Sequence, residues 1–231
     1  PGATSGLRAL KAGIVDGRIL GKDLRRLRMP LATTLLWGGM TIAGEDLPHF
    51  FKVGRSWGST MKVAGLVARY ALERAAGHPR GLRLANGNGL IAGLWAAAQR
   101  RGVQVLTGAC VESLTMDGPT SARVSGATVQ IGDQRLRFRA RCGVVLACGG
   151  FPGNAARRAH FYSHVPQGRA HHTLAPVTNT GDGLALAEAV GAALRTGLSR
   201  PAAWTPVSLV PQAGGRVIGY PHYIDRAKPG I

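Results

Sequence analysis

The run Val144-Val145-Leu146-Ala147-Cys148 ends on Gly149-Gly150. An apolar run without a polar alternate is the pattern of a strand covered on both faces, as in a parallel sheet between helices. It predicts an α/β architecture with Val144–Leu146 as an interior parallel strand. The two glycines stop the run abruptly and leave no Cβ where the chain turns. Two uses of such an end stand open. One is a tight turn needing positive φ. The other is bare backbone that a ligand can approach, its amides free to hydrogen-bond a dinucleotide.

Around this run the chain reads as helices, turns and short strands. Asp16-Gly17 is a hairpin-type turn signal between Gly13-Ile14-Val15 and Arg18-Ile19-Leu20. Met61, Ala64, Leu66, Val67, Ala68, Ala71 and Leu72 have helical spacing, which predicts a helix over 59–76 with Ser59 as N-cap and Gly77 as stop. Asn86-Gly87-Asn88-Gly89 opens a second helix over 86–101, and Val103–Leu106 reads as a short strand. Val111–Leu114, Ala122–Val129 and Arg135–Ala140 are joined by Asp117-Gly118-Pro119 and Gly132-Asp133. They read as an inserted β-meander over 109–141. Residues 180–191 form another capped helix, and the chain after Leu198 is Pro- and Trp-bearing and irregular.

Composition narrows the classes. With 231 residues, 45% of them hydrophobic, the chain can bury a core. No apolar run reaches the length of a membrane span, and no signal peptide is visible at Pro1-Gly2-Ala3-Thr4-Ser5-Gly6. Cys110, Cys142 and Cys148 form no C-x-x-C pair, so neither a disulfide framework nor a zinc site is indicated, and a reducing, cytoplasmic setting is expected. The net charge is +18. The arginines are scattered in pairs such as Arg25-Arg26, Arg100-Arg101 and Arg157-Arg158, without interleaved aromatics, so no specific nucleic-acid partner is expected.

Candidate chemistry concentrates in two glycine-bearing segments. Beside Gly149-Gly150 stands Thr180-Gly181-Asp182-Gly183, where Asp182 opens a helix. Its carboxylate either caps first-turn amides or accepts hydrogen bonds from a ligand hydroxyl that the glycines let approach. A G-x-G-x-x-G phosphate cradle is missing, and Gly87-Asn88-Gly89 with Gly93 has the wrong spacing for one. His171-His172 are adjacent and cannot form a helical metal pair. No G-x-S-x-G elbow is present.

In this order the pieces resemble the FAD-binding fumarate reductase and succinate dehydrogenase flavoprotein superfamily. Gly87-Asn88-Gly89-Leu90 leads a helix, a strand and a meander. Val144–Phe151 resembles the family's V-V-L-A-T-G-G-F segment, and Asn179–Gly183 its T-G-D-G segment. Asp16-Gly17-Arg18, Leu27–Leu31, Gly38-Gly39-Met40, Ala203–Ser208 and Pro221–Gly230 are similar to the 3-ketosteroid dehydrogenase-like branch. The dicarboxylate branch has His-Pro-Thr where Ala203-Trp204-Thr205-Pro206 stands here, which favours a bulkier, less charged substrate.

The resemblance implies a partial Rossmann-like FAD-binding domain over 1–195, with the inserted β-meander, and the start of a substrate-binding cap domain over 196–231. The glycine fingerprint would precede Pro1, so this chain alone is expected to hold FAD poorly. The backbone at Cys110 and Val111 would meet the adenine region. Ala147, Cys148, Gly149 and Gly150 would lie beside the nucleotide, and Gly181, Asp182 and Gly183 would present Asp182 to the flavin side. The implied reaction removes or adds two hydrogens across a carbon–carbon bond next to a carbonyl of a steroid-like or other ketone, with an unidentified electron acceptor. Tyr220, His222 and Tyr223 are the acid–base candidates. The alternatives are a fumarate reductase-like flavoprotein acting on a small carboxylate and a basic nucleic-acid-binding module.

Overall fold

A computed structural model describes residues 13–118, 123–162, 171–198, 201–215 and 217–222. The chain divides into two compact units, Ala3–Thr107 and Gly108–Ile231. The 195/196 point expected to separate cofactor and substrate portions falls inside the second unit.

The first unit is mainly helical. Strand β1 (Val15–Asp16) pairs with β4 (Arg83–Leu84), and β2 (Leu35–Leu36) pairs with β3 (Met40–Thr41), both antiparallel. Helices α1 (Leu47–Phe50), α2 (Trp57–Ala75) and α3 (Asn86–Arg100) complete it. Its core is Leu20, Leu24, Leu27, Leu82, Leu84, Ala92 and Ala96.

The expected hairpin at Asp16-Gly17 is absent. A 3-10 segment, Gly17–Arg26, follows instead, kinked at Gly21. Asp16 explains the difference: its carboxylate accepts from the Arg18 backbone and guanidinium, which caps a helical turn rather than closing a hairpin. That pairing, led by the Arg18 hydrogen bond, holds the Asp16 carboxyl down at about 2.

Helix α2 starts before the expected Ser59. Ser56 is the N-cap, its side chain accepting from Ser59 N–H at 3.4 Å, while Ser59 is buried against His49. The stop holds, with Gly77 left-handed at φ 84°. Helix α3 has the expected span but not an Asn cap. Its N-cap is Ala85, because Asn86 is turned toward the Ile42 carbonyl and Asn88 is held by buried Arg80. Burial without an acidic partner lowers the Arg80 pKa. Val103–Leu106 carries no strand. Where α3 ends, Arg26 instead holds the Val105 carbonyl at 2.8 Å.

The second unit contains the meander, as expected. Strands β5 (Ala109–Met116), β6 (Val124–Ile131) and β7 (Gln134–Arg139) form an antiparallel sheet in that order. Central β6 carries the buried Ser125–Val129 stretch, whereas β7 is exposed throughout. Arg135, Arg137 and Arg139 alternate along this edge, and charge on an edge strand discourages pairing with other chains. Helix α4 (Ala155–Phe161), helix α5 (Asp182–Ala189) and the antiparallel hairpin β8 (Val207–Pro211) with β9 (Val217–Pro221) follow.

One expectation fails outright. Val144–Leu146 is not an interior parallel strand: it has no regular structure, Val145 is 89% exposed, and every ladder among the described residues is antiparallel. An apolar run is a buried strand only when neighbours pair with both edges and cover both faces. Among the described residues none does.

Candidate functional site

The two glycine-bearing segments, far apart in sequence, are packed against each other in the second unit. The Cys148 Sγ contacts Gly183 where a Cβ would project. A Cβ on Gly149 would lie 2.8 Å from the Asn179 side-chain nitrogen. Only glycine fits at both positions, and Gly149 is also left-handed at φ 81°. Residues 141–150 are exposed.

Gly181, not Asp182, is the N-cap of α5, in the left-handed region at φ 92°. The Asp182 side chain makes no capping bond. It is exposed and accepts from the Thr180 hydroxyl at 2.6 Å. An Asp in the first turn is favoured by the helix dipole, yet its carboxylate keeps oxygen lone pairs free for a hydroxyl donor.

The segments are tied by groups that sequence reasoning missed. The Gly153 N–H donates to the Asn179 carbonyl at 2.8 Å. Asn154 caps α4 by accepting from Arg157 N–H at 3.0 Å, and its Nδ2 donates to the Thr180 carbonyl at 3.1 Å. The Arg157 side chain occupies the place where a Cβ on Gly181 would project, 2.8 Å from it, and pairs with Glu188 on α5 at 3.0 Å. Helix α4 carried one readable signal: Asn before Ala-Ala-Arg-Arg is an N-cap pattern.

Cys110 and Val111, the expected adenine-side backbone, lie on β5, and both are exposed. Helix α5 packs against β5. All three stretches expected to line a nucleotide therefore belong to one compact unit.

The acid–base candidates form a group of their own on the β8–β9 hairpin. Tyr220 stands opposite Ser208 in the ladder, and its ring meets the His222 ring at 5.4 Å. His222 Nε2 and Ser208 Oγ are hydrogen-bonded at 2.7 Å. Tyr223 lies outside the described residues. Trp204, where the dicarboxylate branch has its His-Pro-Thr stretch, packs edge-on to Tyr162 at 5.2 Å. Tyr162 is buried, which raises its pKa and keeps the hydroxyl neutral. A cleft of about 460 Å³ is lined mostly by apolar groups such as Phe151, Phe161, Leu184 and Leu198, with His160 and Arg195 among them. The three cysteines are unpaired, and no metal-binding cluster and no helix long and apolar enough to cross a membrane occur among the described residues.

A family model described as FAD binding domain matches residues 10–230. The chain is 32% identical over 234 residues to 4-oxocyclohex-2-ene-1-carboxylate 5-dehydrogenase of Sinomonas cyclohexanicum, covering 100% of this chain and 38% of that protein. It is 31% identical over 180 residues to 3-oxosteroid 1-dehydrogenase of Comamonas testosteroni, covering 71% of this chain and 31% of the relative. The crystal structure of 3-ketosteroid delta1-dehydrogenase from Sterolibacterium denitrificans, in complex with 1,4-androstadiene-3,17-dione, superimposes with a TM-score of 0.72 at 27% identity. That match covers 95% of this chain and 38% of the other. The chain spans less than two fifths of the relatives it matches. With a family model matching nearly its whole length, the chain belongs to the FAD binding domain family.

Proposed function

We propose that the chain is the FAD-binding portion of a flavoprotein dehydrogenase that removes two hydrogens across a carbon–carbon bond adjacent to the ketone of an alicyclic substrate. The observation that carries this reading is the packing of the Ala147–Gly150 turn onto the Asn179–Gly183 loop, Cys148 against Gly183. It sets the exposed 147–150 segment beside the loop whose Asp182 carboxylate takes the Thr180 hydroxyl.

In this reading the backbone amides of Cys148, Gly149 and Gly150 lie along the nucleotide, and Cys110 and Val111 contribute the backbone near the adenine. Asp182, which is exposed, accepts a hydrogen bond from a cofactor hydroxyl, while Gly181 and Gly183 leave room for the Arg157 and Cys148 side chains packed against the loop. When bound, FAD supplies the acceptor for the hydride. The chain's own residues orient the substrate and handle the proton. Tyr220 and His222 are the proposed acid–base pair, because a hydroxyl and an imidazole stand in ring contact with Ser208 fixing the imidazole. Tyr223 is proposed as the third member on sequence position. Residues 196–231 open the substrate-binding portion.

The substrate is an uncharged or singly charged cyclic ketone rather than a small dicarboxylate. Trp204 is engaged with Tyr162, and a cleft that Phe161, next to Tyr162 in the chain, helps to line is mostly apolar, suiting a hydrocarbon ring. The test is dehydrogenation by the FAD-loaded full-length enzyme with an artificial electron acceptor, comparing a 3-ketosteroid, an oxocyclohexene carboxylate and succinate. Turnover of either ketone and not of succinate is expected. Turnover of succinate alone would contradict the reading.

A further inference from the structure

Asn154 makes more contacts with the Asp182 loop than a helix cap requires. Its N–H donates to the Phe151 carbonyl at 2.9 Å, which closes the turn leaving Gly149-Gly150. Its Oδ1 accepts from Arg157 N–H at 3.0 Å and starts α4. Its Nδ2 is free of that duty and reaches across 26 residues to the Thr180 carbonyl at 3.1 Å. The Thr180 hydroxyl in turn donates to Asp182 at 2.6 Å. Next to this link the Gly153 N–H donates to the Asn179 carbonyl at 2.8 Å. Gly153 stands so close to the Val177 carbonyl that a Cβ there would collide with it. One half-buried amide therefore joins the end of the glycine turn to the residue that holds the Asp182 carboxylate.

We propose that Asn154 is a positioning residue for FAD binding: it fixes the Thr180–Asp182 loop against the Gly149-Gly150 turn, so that carboxylate and bare backbone present themselves to the cofactor together. This rests on the reading that Asp182 binds FAD. The chemistry assigns the two ends of the amide different tasks. The oxygen maintains the helix, which serine does equally well. The nitrogen maintains the loop, and serine is too short and has no second donor to replace it.

Asn154→Ser separates these tasks in the holoenzyme, with Asn154→Ala and Asp182→Ala measured alongside. The probe is FAD itself, titrated into apoprotein by quenching of flavin fluorescence, with apoprotein melting followed separately. Asn154→Ser is expected to melt within a degree or two of the parent, since the cap survives, and to bind FAD about tenfold more weakly for the loss of one ordering hydrogen bond. Asn154→Ala is expected to lose melting temperature as well. If Asp182→Ala loses FAD affinity while Asn154→Ser binds as the parent does, Asn154 is only a cap and the proposal is overturned. If Asp182→Ala itself binds FAD unchanged, the assignment of Asp182 falls first, and the role of Asn154 falls with it.

Discussion

The Sγ of Cys148 fills the space that a side chain on Gly183 would need. The glycine turn and the Asp loop are thereby set at a fixed separation by one atom on each side. Gly183→Ala is expected to destabilise the apoprotein by about 1–3 kcal/mol, the usual cost of forcing a methyl into a filled site. Cys148→Ala in the same chain frees the space and should restore most of that loss. Melting curves of both single variants and the double variant check this, and purely additive losses would show that the two residues do not share the space.

Acid should weaken the first unit through Asp16. The Arg18 hydrogen bond holds its carboxyl near 2 in the folded chain, against about 3.9 for a free aspartate. A depressed pKa contributes stability that is present above the unfolded value and is lost as pH falls through the folded one. Part of the melting temperature should therefore be lost between about pH 4 and pH 2. Asp16→Asn should show a shallower fall over that window. An identical acid profile for both proteins would mean that the Asp16–Arg18 pair adds nothing, the frequent outcome for exposed ion pairs.

Asp46 offers a stronger stability test. It is 1% exposed, takes Arg83 at 2.7 and 3.2 Å through its two oxygens, and accepts from Ala43 N–H at 2.9 Å. Removing the carboxylate leaves Arg83 short of its partner in a half-buried site. Asp46→Ala should cost about 3 kcal/mol, at the lower end for a broken buried pair. Urea unfolding of Asp46→Ala and Arg83→Ala, with the double variant as the cycle, measures the coupling. Additive losses across the cycle would contradict it.

Features that depend on neighbours along the chain were legible in the sequence. The β5–β7 meander was marked by Gly-Asp turns, helix α2 by apolar spacing with Gly77 at its end, and helix α3 by its Asn86–Gly89 opening. Features that depend on distant partners were not. Val144–Leu146 has the composition of a buried strand, but a strand also needs edges to pair with, and composition carries no record of them. Asp16-Gly17 has the letters of a hairpin turn, yet the guanidinium two residues on captured the carboxylate first. At the candidate site the glycines and Asp182 were visible because their chemistry is local. The Asn154–Thr180 bond, which brings the two segments together, spans 26 residues and leaves no periodic trace.

Asp182 carries the central claim, and the fold separates its two uses. Since Gly181 is the cap and the Asp182 carboxylate is bonded to the Thr180 hydroxyl instead, Asp182→Ala should cost the apoprotein the helix-dipole contribution, about 0.3–1 kcal/mol, and one exposed hydrogen bond. A charge-assisted bond to a cofactor hydroxyl is worth roughly 1.5–3 kcal/mol. Its loss corresponds to FAD binding weaker by about 10- to 100-fold. The deciding measurement is the FAD dissociation constant of the full-length protein and its Asp182→Ala variant, by fluorescence titration, with apoprotein melting recorded for both. A loss of FAD affinity in that range with a nearly unchanged melting temperature is the expected result. Unchanged affinity with a lowered melting temperature would contradict the account and leave Asp182 a structural residue.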